Sequence, residues 1–254
     1  MRQIRTFLDA ELIEGKELQL DERSAAHVVR VLRRRVGDRI HVFNGRGTEA
    51  EVELVAVERR GACRARIETV AMVNRESPVR IELIQAVARG EKMDWVVQKA
   101  TELGVSAIRP VFTEHGEVRV EGKPRLRKQQ RWQEIAIGAC EQSGRNVLPA
   151  IHAPLALSEL ETAAATRLML DPGGATALGS ALFSGPGQAG SASVALAIGP
   201  EGGFGDQDRG VLRKAGFVAV TLGPRVLRTE TAGLAAISVL QLLLGDFGGC
   251  ERSS

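Results

Sequence analysis

The chain has 254 residues, 44% hydrophobic and 26% charged, so it carries enough apolar material for a sizeable core and is not disordered by composition. A formal net charge of +3 says little until the basic residues are located. The opening MRQIRTFLDAELIEG lacks a continuous apolar run, and Cys63, Cys140 and Cys250 are too widely spaced for a disulfide framework or a zinc site; no secretory signal and no metal are therefore expected, and the cytoplasm is the expected compartment.

Residues 1–75 are read as a small β-rich domain. RIHVFN, the turn GRG and the alternating AEVELVAVE form an expected hairpin. Before it, Asp21 to about Arg35 is expected to be a helix. Val28, Val31 and Leu32 share its apolar face, while Arg23, His27, Arg30 and Arg34 make a basic stripe at spacings of 4, 3 and 4. Such a stripe suits either RNA phosphates or a solvated face; Arg33, Arg35 and Arg39 beside it tilt the reading towards RNA.

After the polar NRESP the pattern changes, and residues 76–247 read as a second domain of alternating strands and helices. VRIELIQAV is a strand. Met93, Val96, Val97 and Ala100 line the helix that follows, Gly104 ends it, and VSAIRPVF is the next strand. A basic helix over Pro124 to Ser143 is followed by the strands RLMLD and SVALAIG, a helix from Asp206, the strand FVAVTLG and a last helix after Thr229. A mostly parallel sheet covered by helices is expected, an α/β fold. The last helix is apolar nearly all round apart from Thr231, Ser238 and Gln241. It is therefore expected to be covered on several sides, either by the sheet and a second subunit or within a monomer. Ala232 to Leu244 is too short and too interrupted to cross a bilayer. Residues 248–254 are expected to be a disordered tail.

Two glycine-rich turns stand at strand ends, where ligands of open α/β sheets bind. The first, AIGPEGGFG, offers the backbone of Gly199, Gly202 and Gly203 and the carboxylate of Glu201. The second, LGPRVLRTETAG, brings Arg225, Arg228 and Glu230, with Thr229 or Thr231 as a helix cap. Each alone is half explained as loop punctuation; together they favour one binding site. GPGQAG at 185–190 matches the dinucleotide fingerprint but has neither the preceding strand nor the following helix, and is read as a linker.

KMDWVVQKATELGV (92–105), EQSGRN (141–146), GPEGGFG (199–205) and LGPRVLRTETA (222–232), in this order, resemble the RsmE family, ribosomal RNA uridine-N3 methyltransferases. HVVRVLRRRVGD (27–38) resembles its RNA-binding domain. The resemblance implies a PUA-like β-barrel followed by a SPOUT methyltransferase domain with a C-terminal trefoil knot, acting as a homodimer on 16S ribosomal RNA. It also implies S-adenosylmethionine as cofactor, held by Leu170, Ile198, Gly199, Pro200, Glu201, Gly202 and Gly203, and by Leu222, Gly223, Arg225, Leu227, Arg228, Thr229 and Ala232. Where the family pattern has Ser or Thr and then Glu at the helix after GGF, this chain has Gly205 and Asp208, which predicts a weakened cap. The Gly/Ala/Ser-rich stretch 173–193 leaves the loop geometry there open.

Uridine N3 must lose a proton before it attacks a methyl group, and it lies on the pairing edge, so the target base is unpaired or flipped out. Among the charged groups of the two turns, Arg228 is the candidate stabiliser of the resulting charge and Glu201 or Glu230 the candidate proton acceptor. The plainer alternative pairs Arg228 with Glu230 and leaves Glu201 to fix its loop. Candidate RNA contacts are Arg2, Arg5, Arg30, Arg33 and Arg34, and Lys123, Arg125, Arg127, Lys128 and Arg145. A non-catalytic ribosome-assembly factor and a SPOUT enzyme acting at another RNA position are the competing readings.

Overall fold

The computed structural model describes residues 4–58, 62–116, 122–183 and 193–248, and the chain divides into two compact units. The first holds residues 1–76 and 137–148. Its elements are β1 (Arg5–Phe7), β2 (Glu17–Gln19), α1 (Glu22–Ala26), β3 (Arg39–Phe43), β4 (Thr48–Val57) and β5 (Cys63–Met72), and the strands form one sheet in the order β1-β3-β4-β5-β2. The expected hairpin is β3 and β4, antiparallel. Alternation on β4 buries Ala50, Val52 and Leu54 against Ile40, Val42, Ala65 and Ile67.

The helix expected from Asp21 to Arg35 is shorter. Asp21 caps α1 by accepting from the Ser24 amide at 2.7 Å, a π-helical turn covers His27–Val31, and Arg33 turns the chain with a φ of +53°. A left-handed residue and the apolar Val28 buried in the sheet's core end the helix where further turns would lift it off the sheet.

Residues 137–148, which the sequence pattern places with the second domain, pack with the first unit through polar groups. Glu141 accepts from the Phe7 amide at 3.0 Å and pairs with Arg23 at 2.9 Å, and Asn146 donates to Glu49 at 3.0 Å and to the Val73 carbonyl at 3.0 Å. EQSGRN thus acts here as a buckle.

The second unit begins with β6 (Arg80–Ala86), α2 (Lys92–Glu102), β7 (Ala107–Phe112) and α3 (Lys123–Ser143), whose residues from Ile137 belong to the first unit. It continues with β8 (Ala150–Ile151), β9 (Leu155–Ala156), β10 (Thr166–Leu170), β11 (Thr176–Ala177), α4 (Leu178–Phe183), β12 (Ser193–Ile198), α5 (Asp206–Lys214), β13 (Val218–Thr221) and α6 (Thr229–Leu243). The sheet runs β11-β13-β10-β12-β6-β7-β8, with β9 also on β7, and every pairing is parallel. Two-sided burial explains the nearly continuous apolar strands. On β12, Val194, Leu196 and Ile198 face a core shared with Met93, Val96, Ile237 and Leu240, while Ala195 and Ala197 face one shared with Phe204 and Leu212.

Register decides where the turns meet. Val220 lies beside Leu170, Leu170 beside Ile198, and Ile198 beside Gln85, so the carboxyl ends of β13, β10, β12 and β6 form one row. On α6, Thr229, Gly233, Ala236, Ile237, Leu240 and Gln241 are buried, whereas Leu242, Leu243 and Leu244 are exposed. Gln241, read as part of a polar strip, is interior: it donates to the Leu103 carbonyl at 2.7 Å and accepts from Ser77 at 2.6 Å. No helix among the described residues is long and apolar enough to cross a membrane. The stretch at 185–190 and Cys250 lie outside the described residues, as does the tail beyond Gly248.

Candidate functional site

The turns after β10, β12 and β13 enclose a cavity of about 730 Å³. Every residue assigned from sequence to the cofactor lines it: Leu170 on the first turn, Ile198 to Gly203 on the second, and Leu222, Gly223, Arg225, Leu227, Arg228, Thr229 and Ala232 on the third and the start of α6. The turns close tightly. Gly203 has a φ of +70°, and a Cβ at Gly199 would stand 3.1 Å from the Phe204 nitrogen, so the chain doubles back without side chains between.

Thr229, proposed as a helix cap, is the first residue of α6 rather than its cap, and its hydroxyl does something else. It donates to the Gly199 carbonyl at 2.6 Å and accepts from Gln85 Nε2 at 3.0 Å, tying the second turn, the third turn and β6 together. Gln85 is fully buried, and its Oε1 has no hydrogen-bond partner.

The expected weakness of the α5 cap is not observed. Asp208 accepts from the Gly205 amide at 3.1 Å, and Glu114, from the segment after β7, accepts from the Gln207 amide at 3.3 Å. A Cβ at 205 would overlap the Glu114 carboxylate, so glycine there makes room for a capping group brought from elsewhere in the chain.

The charges form two sets. Asp171 pairs with Arg209 at 2.6 Å and accepts from the Gly173 amide at 2.9 Å; burial pushes its carboxyl up, but these partners outweigh burial and hold it below the usual range. Lys92, at the start of α2, pairs with Glu201 at 2.7 Å and lies 3.8 Å from Glu230. Its hydrogen bond holds the Glu201 carboxyl below its ordinary value, and Glu201 in turn raises the Lys92 ammonium. Glu230 Oε2 is buried and accepts no hydrogen bond. The alternative pairing of Arg228 with Glu230 is not found: among the described residues Arg228 has no carboxylate within 4 Å, and Lys92 stands where that alternative put Arg228. Glu230 itself faces a second cavity, of about 600 Å³, that also touches Lys92. Lys92, Asp171 and Arg209 went unassigned in the sequence because each sits outside the two glycine-rich turns. Their signal was placement after a strand or at a helix start and, for Lys92, its position at the head of the motif at 92–105.

A family model described as an RNA methyltransferase domain matches residues 75–241, and one described as an RNA methyltransferase PUA domain matches residues 20–68. The Ribosomal RNA small subunit methyltransferase E of Bacillus subtilis is 31% identical over 248 residues, covering 93% of this chain and 95% of that protein. The protein of the same name from Buchnera aphidicola is 30% identical, covering 96% and 94%. The chain belongs to the ribosomal RNA small subunit methyltransferase E family. Among solved structures, the Neisseria gonorrhoeae member, bound to S-adenosyl methionine, superposes with a TM-score of 0.87 at 37% identity, covering 97% of this chain and 100% of that one. A Legionella pneumophila protein solved with SAM superposes at 0.91, with 39% identity over the same shares.

Within this member of the family, the RNA candidates divide by burial. Arg5 is 8% exposed, paired with Glu49 at 2.6 Å, bonded to Asn146 and stacked 5.0 Å from the Phe43 ring centroid. Arg145 is 5% exposed and paired with Glu76. Both are withdrawn as phosphate contacts, because each charge is already neutralised inside the first unit. Arg23 of the expected stripe is spent on Glu141. Arg30 and Arg33 are exposed and Arg34 lies 3.9 Å from Asp38. Lys123 and Arg127 are exposed, Arg125 is half-buried, and Lys128 lies 5.8 Å from the Trp132 ring centroid. Arg2 lies outside the described residues. No group of three or more His, Cys, Asp or Glu that could hold a metal occurs among the described residues.

Proposed function

We propose that the chain transfers a methyl group from S-adenosylmethionine to N3 of a uridine in 16S ribosomal RNA. The observation that carries this is the convergence of three strand-end turns on one cavity of about 730 Å³, within the range of small-molecule sites. The residues fit the cofactor. Leu170, Ile198, Leu222, Leu227 and Ala232 offer apolar walls for a nucleoside, the bare glycine backbone offers amides and carbonyls, and Asp171 and Glu201 offer negative charge to an ammonium or sulfonium. When bound, the cofactor supplies an electrophilic methyl carbon.

The side chains then divide the work. The N3 proton passes to Glu230, whose Oε2 accepts no hydrogen bond in the structure, whereas Glu201 already accepts one from Lys92 at 2.7 Å. Arg228, with no carboxylate partner within 4 Å among the described residues, lines the donor cavity and is the candidate to stabilise the charge that develops on the uracil.

The domain reading goes with it. Residues 1–75 serve as the RNA-binding domain and 76–247 as the catalytic one, apart from residues 137–148, which pack with the first unit; Arg30, Arg33, Arg34, Lys123, Arg125, Arg127 and Lys128 meet phosphates. The threading of the chain end implied by the family resemblance, a cytoplasmic location, an assembled small subunit as substrate and a homodimer belong to the same proposal. For the dimer, the support is the exposed row Leu242, Leu243, Leu244 and Phe247 at the end of α6.

The test is incubation of purified protein with labelled S-adenosylmethionine and unmodified small subunits, followed by mapping of the labelled nucleoside. The expected product is 3-methyluridine, and Arg228→Ala is expected to lower the rate at saturating donor roughly a hundredfold. Label in another nucleoside, or donor binding by calorimetry without transfer, would overturn the assignment.

A further inference from the structure

The second cavity has a role of its own. It measures about 600 Å³ and is bounded by Glu91, Lys92, Asp94, Trp95, Gln98 and Glu230, with Ile135 behind. Lys92 lines both cavities, so the two are neighbours across that side chain. A methyl acceptor has to reach the donor, and any pocket that holds it must open onto the donor's cavity. This cavity adjoins the donor's at Lys92.

We propose that this cavity receives the flipped uracil, stacked on Trp95, with its imide edge turned to Lys92 and Glu230. This rests on the methyl-transfer reading above and adds the place and the recognition of the base.

Trp95 is an unusual surface residue. It stands on α2 with 51% of its surface exposed, although the chain's other tryptophan, Trp132, is 2% exposed and bonded through its indole nitrogen to Asp94 at 3.2 Å. Lys99 lies 5.1 Å from the Trp95 ring centroid, which leaves half the residue open to a flat partner. Stacking on an exposed aromatic is the usual way proteins hold an unpaired base.

The polar groups at the seam match uracil and mismatch the other pyrimidine. The uracil edge presents a carbonyl, an N–H and a carbonyl. Glu230, which lines this cavity and whose Oε2 accepts no hydrogen bond although it lies 3.8 Å from Lys92, is the carboxylate placed to turn and accept from that N–H. Lys92, which keeps ammonium hydrogens beyond the one given to Glu201, is suited to donate to a flanking carbonyl. Cytosine has no proton at N3 and would leave the Glu230 oxygen facing its lone pair.

The experiment uses the full-length protein with S-adenosylmethionine and small subunits, comparing wild type with Trp95→Ala and Trp95→Phe. Donor affinity, by calorimetry, is expected to stay within twofold in both. For Trp95→Ala, kcat/KM towards RNA is expected to fall tenfold to a hundredfold, and Trp95→Phe to recover most of it. Titration of the donor-bound protein with a short uridine oligonucleotide should quench tryptophan fluorescence in the wild type and not in Trp95→Phe, where only buried Trp132 remains. If Trp95→Ala keeps kcat/KM within twofold, the pocket assignment fails while the methyltransferase reading stands. If Trp95→Ala turns a dimer into a monomer and Trp95→Phe shows unchanged quenching, the indole is a subunit contact and the assignment also fails. A wild type that binds donor but methylates no ribosomal RNA overturns both.

Discussion

Thr229→Val removes the hydroxyl that joins the two cofactor turns while leaving the side chain's shape almost unchanged. The hydroxyl makes two buried hydrogen bonds, to the Gly199 carbonyl at 2.6 Å and from Gln85 Nε2 at 3.0 Å. Each is worth about 1 kcal/mol net, and valine would leave the Gly199 carbonyl short of a donor and Gln85 Nε2 with only the Ala86 carbonyl at 3.2 Å. Adding the desolvation of those groups, the expected loss is about 2–4 kcal/mol, or roughly 5–12 °C in Tm for a chain of this size. Because the same hydroxyl holds the turn at 199 against α6, donor affinity is expected to weaken about tenfold, equivalent to about 1.4 kcal/mol. Thermal unfolding with and without S-adenosylmethionine, paired with calorimetric titration, measures both effects. Thr229→Ser keeps the hydroxyl and is expected to stay near wild type in each. A Thr229→Val protein melting within 1 °C of wild type and binding the donor within twofold would refute the idea that this hydroxyl ties the site together.

Two further outcomes follow from polar groups outside the cavity. Burial raises Glu49, but hydrogen bonds from Arg75, Arg5 and Asn146 outweigh burial and hold its carboxyl at about 2. Its folded value lies below the unfolded one, so the stabilisation is complete above about pH 4.5 and disappears as pH falls through 2. Glu49→Gln is therefore expected to cost about 2 kcal/mol at neutral pH, with the gap to wild type closing in urea titrations below pH 3; a gap that stays constant with pH would contradict this. Gly205→Ser restores the residue type common at a helix start, yet the overlap with Glu114 makes it destabilising here, by about 1–3 kcal/mol. Adding Glu114→Ala removes the overlapping carboxylate and leaves only the Cβ at 114, 3.0 Å away, so a double-mutant cycle is expected to show at least about 1 kcal/mol of coupling; additive losses would speak against it.

The alternating strands and helices of the second unit were legible because both faces of its sheet are buried, and that makes strands such as SVALAI nearly continuous apolar runs. The cofactor turns were legible because two glycine-rich turns stand at strand ends of one open α/β sheet, where ligands bind. The charged groups around them were not. Lys92 comes from α2, more than a hundred residues before Glu201, and only the parallel pairing of β6 with β12 brings the two ends together. The RNA candidates show the opposite failure. Arg5 and Arg145 look like any surface arginine in a basic chain, and nothing in their neighbours along the sequence reveals Glu49, Asn146 and Glu76 waiting across the first unit.

Local periodicity and turn chemistry were sufficient for the α/β class and the two-part organisation, and the family resemblance of the motifs for the residues around the larger cavity, since these depend on short stretches of chain. Partnership between distant charges, the assignment of residues 137–148 to the first unit and the borrowing of Glu114 to cap α5 were decided only in three dimensions. Those depend on which strand ends share a row and which side chains reach across, and no local pattern encodes that.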